Sequence, residues 1–252
     1  MANYDYKEGK KRVEEILNNT PKIEKNDKLP QLDCLTFENA YESWVTGIFV
    51  DIRKSCDLFS TGDEIQISKI IRSFTSEIIE ILRCDENGNP VDENLREIGI
   101  RGDCVYAIYT TPLKSDIVEV CDKSFYINTY MRMLNALLDQ KRYKRINVGI
   151  GVSTDKELII KAGRKRAEIN NAVWIGNAVA RASSLSCITN KNGISKIALS
   201  ELTYDNVIDI LEKQTANIRT FFSKSSDNGN VFYHGDLIKS GFYNWINQGM
   251  PK

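Results

Sequence analysis

The sequence is poor in histidine, carries no net charge and contains no long hydrophobic run. His234 is its only histidine, so metal cages and catalytic triads built on histidine are poorly supported. Lysine plus arginine and aspartate plus glutamate both total 34, so no overall field favours nucleic acid or anionic lipid. No apolar run approaches the ~20 residues of a membrane span, and the N-terminus does not resemble a signal peptide. We therefore expect neither nucleic-acid binding nor membrane insertion.

The six cysteines also lack a recognisable pattern. They stand at positions 34, 56, 84, 104, 121 and 187, without a Cys-x-x-Cys pair. Neither a disulfide framework nor a zinc site is therefore indicated. We expect a soluble, cytoplasmic protein in a reducing environment, with His234 as a structural residue of a late strand.

The most informative stretch runs from Thr46 to Leu58. Its residues 47–50 are small, aromatic or β-branched, which is typical of a strand buried on both faces. Asp51 interrupts this run, and a buried carboxylate needs a cation or several hydrogen-bond donors. A carboxylate at a strand end, before a donor-rich turn into a helix, can hold a metal-bound polyphosphate. The alternative is a buried aspartate that only caps a turn.

The remaining pattern predicts an N-terminal extension followed by one domain. Residues 1–33 comprise a polar helix over 6–18 and an extended linker over 19–33, and residues 34–252 form the domain. The domain begins with the strand before Asp51. The later predicted elements are a helix over 64–84, a hairpin over 95–108, a helix over 115–143, a second hairpin over 145–163 that turns at 154–156, a short helix after Gly176, and two or three strands. This order predicts an α+β, ferredoxin-like fold with a mostly antiparallel central sheet and flanking helices.

Asp103 is the second candidate carboxylate. It follows Gly102 at the predicted turn of the first hairpin, where turn chemistry alone would also explain an aspartate. In a ferredoxin-like fold the first strand is central and this hairpin lies beside it, so Asp51 and Asp103 should meet at one edge. Two hard oxygen ligands suit Mg²⁺ or Mn²⁺. Two such ions would activate an attacking hydroxyl and neutralise a leaving pyrophosphate.

Four motifs, in this order, resemble the catalytic domain of class III nucleotidyl cyclases over about residues 35–240. They are Phe49-Val-Asp-Ile-Arg-Lys-Ser, Gly102-Asp103 before a strand, Val148-Gly-Ile-Gly-Val, and Trp174-Ile-Gly-Asn-Ala-Val. Within this family, Ile160-Lys-Ala-Gly-Arg-Lys followed by Val173-Trp-Ile-Gly is most similar to the bacterial pyrimidine cyclases of Pycsar antiphage defence.

The resemblance implies a phosphorus–oxygen lyase that acts as a head-to-tail homodimer. The ribose 3′-hydroxyl of a nucleoside triphosphate attacks its α-phosphate and releases pyrophosphate, without a covalent enzyme intermediate. Asp51 and Asp103 would bind two Mn²⁺ or Mg²⁺ ions, with the backbone carbonyl of Ile52 as a further ligand, and Phe49 would contact the substrate. One chain would supply the metal ligands and the other the nucleotide-orienting residues.

The choice of base follows partly from residues that are missing. By the same resemblance, purine cyclases read the base at the positions of Gly99 and Val173, and neither side chain here can form a hydrogen bond. Arg101 shares a strand face with Asp103 and can donate to a pyrimidine carbonyl or a phosphate; alternatively it pairs with an acidic neighbour. The implied substrate is UTP, giving cyclic UMP, and the residues do not decide between UTP and CTP. The product would be a second messenger for an effector that halts the phage-infected cell.

One departure from the family pattern leaves rival functions open. The family's Asn and Arg that steady the transition state correspond here to Ala180 and Ser184. Asn177 and Arg181 keep the same spacing three residues earlier and are candidates for substrate binding. The other candidates to reach the phosphates are Lys161, Arg164 and Arg166. A nucleotide-binding module without turnover and an ordinary adenylate cyclase are the alternatives to a pyrimidine cyclase.

Overall fold

Strand β2 (Asn39–Ile52) is central to a nine-stranded sheet in the computed structural model, which describes residues 4–60, 63–85, 89, 91–164 and 170–251. The other strands are β1 (Lys22–Lys25), β3 (Leu95–Arg101), β4 (Cys104–Thr110), β5 (Val148–Gly163), β6 (Asn170–Gly176), β7 (Ile197–Ser200), β8 (Phe222–Asp227) and β9 (Asn230–Gly235). Their order is β3–β4–β2–β5–β7–β9–β8, with β1 paired to β2 and β6 paired to β5. The β1–β2 and β5–β7 pairs are parallel and the others antiparallel.

The helices divide between the two faces of this sheet. They are α1 (Tyr6–Leu17), α2 (Cys56–Phe59), α3 (Glu64–Arg83), α4 (Lys114–Gln140), α5 (Asn177–Ile188), α6 (Glu201–Gln214) and α7 (Ser240–Asn247). Helices α3, α4 and α6 bury their apolar residues in one cluster with Ile48, Val50 and Ile52 of β2. Because side chains alternate along a strand, Gly47, Phe49 and Asp51 lie on the opposite face, where α5 packs. We call this second side the α5 face.

The connectivity agrees with the predicted fold class. The run β2–α3–β3–β4–α4–β5, with the spatial order β3–β4–β2–β5, is the ferredoxin-like arrangement. The predicted helix over 6–18, the helix over 64–84, the hairpin over 95–108 and the helix over 115–143 all occur with small shifts in their ends. Helices α6 and α7 were not predicted. No helix among the described residues is both long enough and apolar enough to cross a membrane.

The predicted turn of the second hairpin, at residues 154–156, is wrong. Strand β5 runs through these residues without a break, and Thr154 is paired with Thr46 of β2. The hydroxyls of Thr154 and Thr46 are hydrogen-bonded at 2.8 Å, and Asp155 accepts a hydrogen bond from Asn177. These polar side chains look like a turn in the sequence, but in the fold they are satisfied within the sheet and by α5.

The glycines of the Val148-Gly-Ile-Gly-Val motif let α5 lie directly on β5. A methyl group at residue 151 would be 2.1 Å from the carbonyl oxygen of Ala182 and 2.4 Å from the backbone nitrogen of Ser186. Both distances are far below van der Waals contact, so a side chain at this position would push the helix off the strand. The motif therefore fixes where the C-terminal end of α5 lies.

Part of the predicted N-terminal linker is built into the sheet. Strand β1 pairs with β2, and Leu29 is only 1% exposed. The backbone N–H of Leu29 donates to Thr110 Oγ1 at 2.8 Å, and the Arg96 guanidinium donates to the carbonyl oxygen of Leu29. The apolar residues of α1, by contrast, are exposed. The domain boundary at residue 34 stays a prediction.

Truncating Leu29 should therefore destabilise the whole domain. We expect Leu29→Ala to lower the free energy of unfolding by about 2–5 kcal/mol, because it leaves a cavity in a closed cluster. The control is Leu17→Ala in α1, where the side chain is 77% exposed and the expected change is within about 0.5 kcal/mol. Urea unfolding would measure both. Equal midpoints for the two variants would show that the segment around Leu29 adds no stability.

Candidate active site

Asp51 and Asp103 meet at one end of the sheet, on the α5 face. Asp51 is paired with Cys104 across β2 and β4, and Asp103 immediately precedes Cys104 in the β3–β4 turn. Gly102, the first of the two turn residues, has a φ of +64°, which glycine adopts at little cost and two-residue hairpins require. The turn sequence thus places the second carboxylate beside the first.

The charge of Asp51 is balanced by Arg53. Arg53 Nη1 donates to Asp51 Oδ2 at 2.8 Å. Burial raises the pKa of Asp51, the positive charge of Arg53 opposes this rise, and the negative charge of Asp103 adds to it. The sequence predicted a cation or several hydrogen-bond donors for Asp51, and Arg53, two residues further on, supplies a cation. The change of direction between β2 and α2 folds its side chain back onto the strand end.

The Arg53 guanidinium lies in a groove between β2, β5 and the end of α5. Its side chain is 12% exposed, and Nη1 also donates to the carbonyl oxygen of Cys187 at 3.3 Å. A methyl group at Gly149 would be 1.7 Å from Nη2, so only glycine leaves room for the guanidinium. Nε and Nη2 are buried and find no hydrogen-bond partner among the described residues. The charges at this sheet end are thus incompletely satisfied, as in a site completed by a ligand.

The donor set at this end fits a divalent cation that is shared with a substrate. Among the described residues, no group of three or more His, Cys, Asp or Glu side chains could hold an ion alone. Asp51 and Asp103 offer two carboxylates, and Ile52, which follows Asp51 directly, is the last residue of β2. Hard oxygen ligands favour Mg²⁺ or Mn²⁺, and both ions commonly complete their shells with phosphate oxygens.

An aromatic pair lies next to the carboxylates. Phe49, two residues before Asp51, is paired with Tyr106 of β4, and their rings stack with centroids 5.1 Å apart and 12° between planes. Tyr106 donates its hydroxyl hydrogen to Glu97 Oε1 at 2.6 Å. Burial and Glu97 raise the pKa of Tyr106 to about 12, while nearby Arg101 acts in the opposite direction. Sequence reasoning missed Tyr106 and Glu97, which only the strand register brings together.

Arg101 ends β3 at the rim of the site. Its side chain is exposed, and it forms no ion pair with an acidic residue in the part of the chain that the structure describes. The alternative that Arg101 merely pairs with an acidic neighbour therefore has no support among these residues. Its guanidinium is available to a ligand.

Asn177 and Arg181 lie far from the carboxylates of their own chain. Asn177 donates to Asp155 at 3.1 Å, and Asp155 is paired with Val45, six residues and therefore ~20 Å along β2 from Asp51. Arg181 forms an ion pair with Asp227 at 3.3 Å and donates to the carbonyl oxygen of Asn230. One chain by itself therefore does not bring these two residues to Asp51.

The other residues considered in the sequence analysis lie on α5, near the end of β5 and in β9. Ala180 and Ser184 are exposed on α5. Lys161 lies over the ring of Phe37, Arg164 is exposed, and Arg166 lies outside the described residues. His234 lies in β9, and its Nδ1 accepts a hydrogen bond from the backbone N–H of Ser195 at 3.1 Å, in agreement with a structural role in a late strand.

Comparisons with solved structures define the class of the fold. The adenylyl cyclase CyaB from P. aeruginosa matches with a TM-score of 0.60 and 17% identity, over 78% of this chain and 95% of that one. A class III adenylyl cyclase-like ATP-binding protein from Pseudomonas aeruginosa matches with a TM-score of 0.66 and 14% identity, over 97% of this chain and 49% of that one. The fold is that of the class III nucleotidyl cyclases.

Sequence relatives define the family more narrowly. A uridylate cyclase from Treponema porcinum is 51% identical over 250 residues, which cover 99% of this chain and 83% of that protein. A uridylate cyclase from Gulbenkiania mobilis is 28% identical over 257 residues, covering 97% and 96%. No protein-family model matches the chain. The chain belongs to the uridylate cyclase family.

Proposed function

We propose that this chain is a metal-dependent uridylate cyclase that converts UTP to 3′,5′-cyclic UMP and pyrophosphate. The observation that carries the proposal is the meeting of Asp51 and Asp103 at one sheet end, in a chain 51% identical to a uridylate cyclase. Gly99 and Val173 agree with it, because neither offers the hydrogen bond expected of a purine-reading residue.

Each residue at this sheet end has a role in the proposed reaction. Asp51, Asp103 and the carbonyl of Ile52 would hold two Mn²⁺ or Mg²⁺ ions. When bound, such ions lower the pKa of a ribose hydroxyl and neutralise the charge of pyrophosphate. Phe49 offers an aromatic surface for the nucleotide, and Arg101 can donate to a phosphate or to a carbonyl of the base.

We propose that the enzyme is a head-to-tail homodimer in the cytoplasm. The ~20 Å between Asp51 and the strand position beside Asn177 supports two chains per site, because Asn177 and Arg181 could then approach the substrate held by a partner. All six cysteines are free, as a reducing compartment favours. Elution at the mass of a single 28.7 kDa chain under assay conditions would contradict the dimer.

A product assay tests the proposed reaction directly. The purified protein is incubated with Mn²⁺ or Mg²⁺ and each of the four ribonucleoside triphosphates, and the products are identified by mass. Cyclic UMP supports the proposal, cyclic CMP moves the specificity to CTP, and cyclic AMP makes the chain an adenylate cyclase. If the protein binds a nucleotide but forms no cyclic product, a nucleotide-binding module is favoured. The reason would then be Ala180 and Ser184, which are exposed on α5 and stand where the family has its Asn and Arg.

Metal binding can be measured without activity. We expect Mn²⁺ to stabilise the wild-type protein against heat, by about 2.7 kcal/mol at a free concentration near 100 times its Kd. Asp51→Asn should lose most of this stabilisation. The asparagine carries no charge to attract the ion, and its side-chain oxygen is also an acceptor for Arg53. Asp209→Asn, at an exposed carboxylate paired with Arg219, should keep it. Equal shifts in all three proteins would place the ion elsewhere.

We further propose that the cyclic nucleotide is a second messenger in antiphage defence, acting on a separate effector that leads to abortive infection. The similarity to Pycsar cyclases supports this role. Cells that carry the chain together with its neighbouring genes would be challenged with phage. Protection that disappears with Asp51→Asn is the expected result, and protection that survives this substitution would contradict the role.

A further inference from the structure

Helix α5 begins without a cap from its own N-cap residue. That residue is Gly176, which has no side chain to accept the free backbone N–H groups of the first turn. Glu157 of β5 supplies the cap instead. Its Oε1 accepts the backbone N–H of Val179 at 3.3 Å, and the N–H of Ala178 is its other backbone donor. A carboxylate is favoured at this place because the N-terminus of a helix carries a partial positive charge.

Glu157 and Gly176 fit each other closely. They are paired across β5 and β6, and a methyl group at residue 176 would be 2.8 Å from the carboxyl carbon of Glu157. Serine and aspartate, which are common helix caps, therefore have no room at position 176. The motif that begins at Trp174 thus contains a glycine here because a strand residue occupies the capping position.

The carboxylate of Glu157 is fully buried, and its Oε2 finds no hydrogen-bond partner among the described residues. Burial raises the pKa of Glu157, whereas the backbone N–H groups of Val179 and Ala178 lower it. A buried carboxylate costs free energy unless charges or donors compensate for it. An apolar residue in this strand would avoid that cost, which points to a function in what Glu157 holds, the first turn of α5.

The first turn of α5 carries Asn177, whose side chain is exposed. Its amide donates to Asp155 at 3.1 Å, and Asp155 lies two residues before Glu157 on the same face of β5. The strand therefore holds this turn twice, through the side chain of Asn177 and through the backbone of Val179. The other end of α5 is located by its packing on Gly151. Asn177 thus projects from a helix that is held at both ends.

We propose that Glu157 is a positioning residue that acts for the active site of the other chain in the dimer. The inference deepens the proposed function and rests on it. The strand position beside Asn177 is ~20 Å from Asp51 of the same chain, so Asn177 can meet only a substrate whose metal ions a partner holds. Glu157 itself does not touch the substrate. It fixes where the amide of Asn177 lies, and a misplacement of about 1 Å can cost ~10²-fold in rate.

Single variants test the positioning role. We expect Glu157→Ala to lower kcat for cyclic UMP formation by about 10²-fold, and Glu157→Gln, which keeps an acceptor oxygen, to lower it less. Both should keep the wild-type stabilisation by Mn²⁺, because Asp51 and Asp103 of the same chain are unchanged. Asp116→Ala is the matched control. Its carboxylate accepts the backbone N–H of Leu113 at the start of α4, on the other face of the sheet, and its loss should leave kcat unchanged.

A mixed dimer tests whether Glu157 acts for the partner. Asp51→Asn and Glu157→Ala chains carry different affinity tags, are produced together and are purified through both tags. In a head-to-tail dimer, one of the two sites then combines the metal ligands of the Glu157→Ala chain with the intact α5 of the Asp51→Asn chain. We expect this dimer to regain about half of the wild-type activity, although each variant alone is nearly inactive.

The outcomes separate this inference from the proposed function. A mixed dimer no more active than its parents would overturn the inference, because the effect of Glu157 would then lie within its own chain. A loss of the Mn²⁺ stabilisation in Glu157→Ala, an unchanged kcat in that variant, or an equal fall in Asp116→Ala would overturn it too. All these results leave cyclic UMP formation by the wild type intact. If wild type forms no cyclic product from any nucleotide, the proposed function fails and this inference fails with it.

Discussion

Asp51→Asn is expected to abolish cyclic nucleotide formation while leaving the fold intact. The substitution removes the charge that a divalent cation requires at the sheet end. Metal ions contribute several kcal/mol to the stabilisation of phosphoryl transition states, and about 1.4 kcal/mol corresponds to a factor of ten. We therefore expect a fall of about 10³-fold or more in kcat, measured as cyclic UMP formed from UTP with Mn²⁺.

The local geometry explains why the variant should still fold. An asparagine oxygen can accept the hydrogen bond that Arg53 Nη1 now donates to Asp51, so the buried guanidinium keeps a partner. Asp209→Asn, far from the site on α6, should retain wild-type activity. Activity of Asp51→Asn within tenfold of wild type, at an unchanged melting temperature, would remove Asp51 from the reaction.

Gly151→Val is expected to lower the stability of the protein strongly. Its first side-chain carbon would be 2.1 Å from the carbonyl oxygen of Ala182, so α5 and β5 would have to separate. Overpacking commonly costs about 1–3 kcal/mol. The nearest atoms here belong to the backbone of α5, which cannot move aside as a side chain can. We therefore expect the free energy of unfolding to fall by about 3 kcal/mol or more. For a domain of this size, that corresponds to a melting temperature lower by ~6–12 °C.

The matched control is Gly241→Ala in α7. Nothing lies within 4 Å of a methyl group at this position, and it is helical. Alanine there should be neutral or stabilise by up to about 1 kcal/mol, because it reduces the freedom of the unfolded chain. Thermal melts followed by circular dichroism would compare the two. A change of about 1 kcal/mol shifts the melting temperature of a domain of this size by at least ~2 °C. A melting temperature of Gly151→Val within ~2 °C of wild type would therefore contradict tight packing of α5 on β5.

The order of strands and helices was readable because it depends on local patterns. Long apolar stripes marked α3 and α4, and a Gly-Asp pair between two strand-like runs marked the β3–β4 turn. The same reasoning was wrong at residues 154–156, where polar residues suggested a turn. Whether a threonine faces solvent or a hydroxyl of the next strand depends on a neighbour 108 residues away, Thr46, which no local pattern reveals.

The sequence by itself determined the fold class, and it pointed to Asp51 and Asp103, because an aspartate after a buried strand and another at a tight turn are local signals. Only the tertiary structure decided what surrounds them. It paired Arg53 with Asp51, stacked Phe49 on Tyr106, tied Tyr106 to Trp174 through Glu97, and separated Asn177 from Asp51 within one chain. These contacts follow from strand register and from the packing of α5 on glycines, which join residues distant in the sequence.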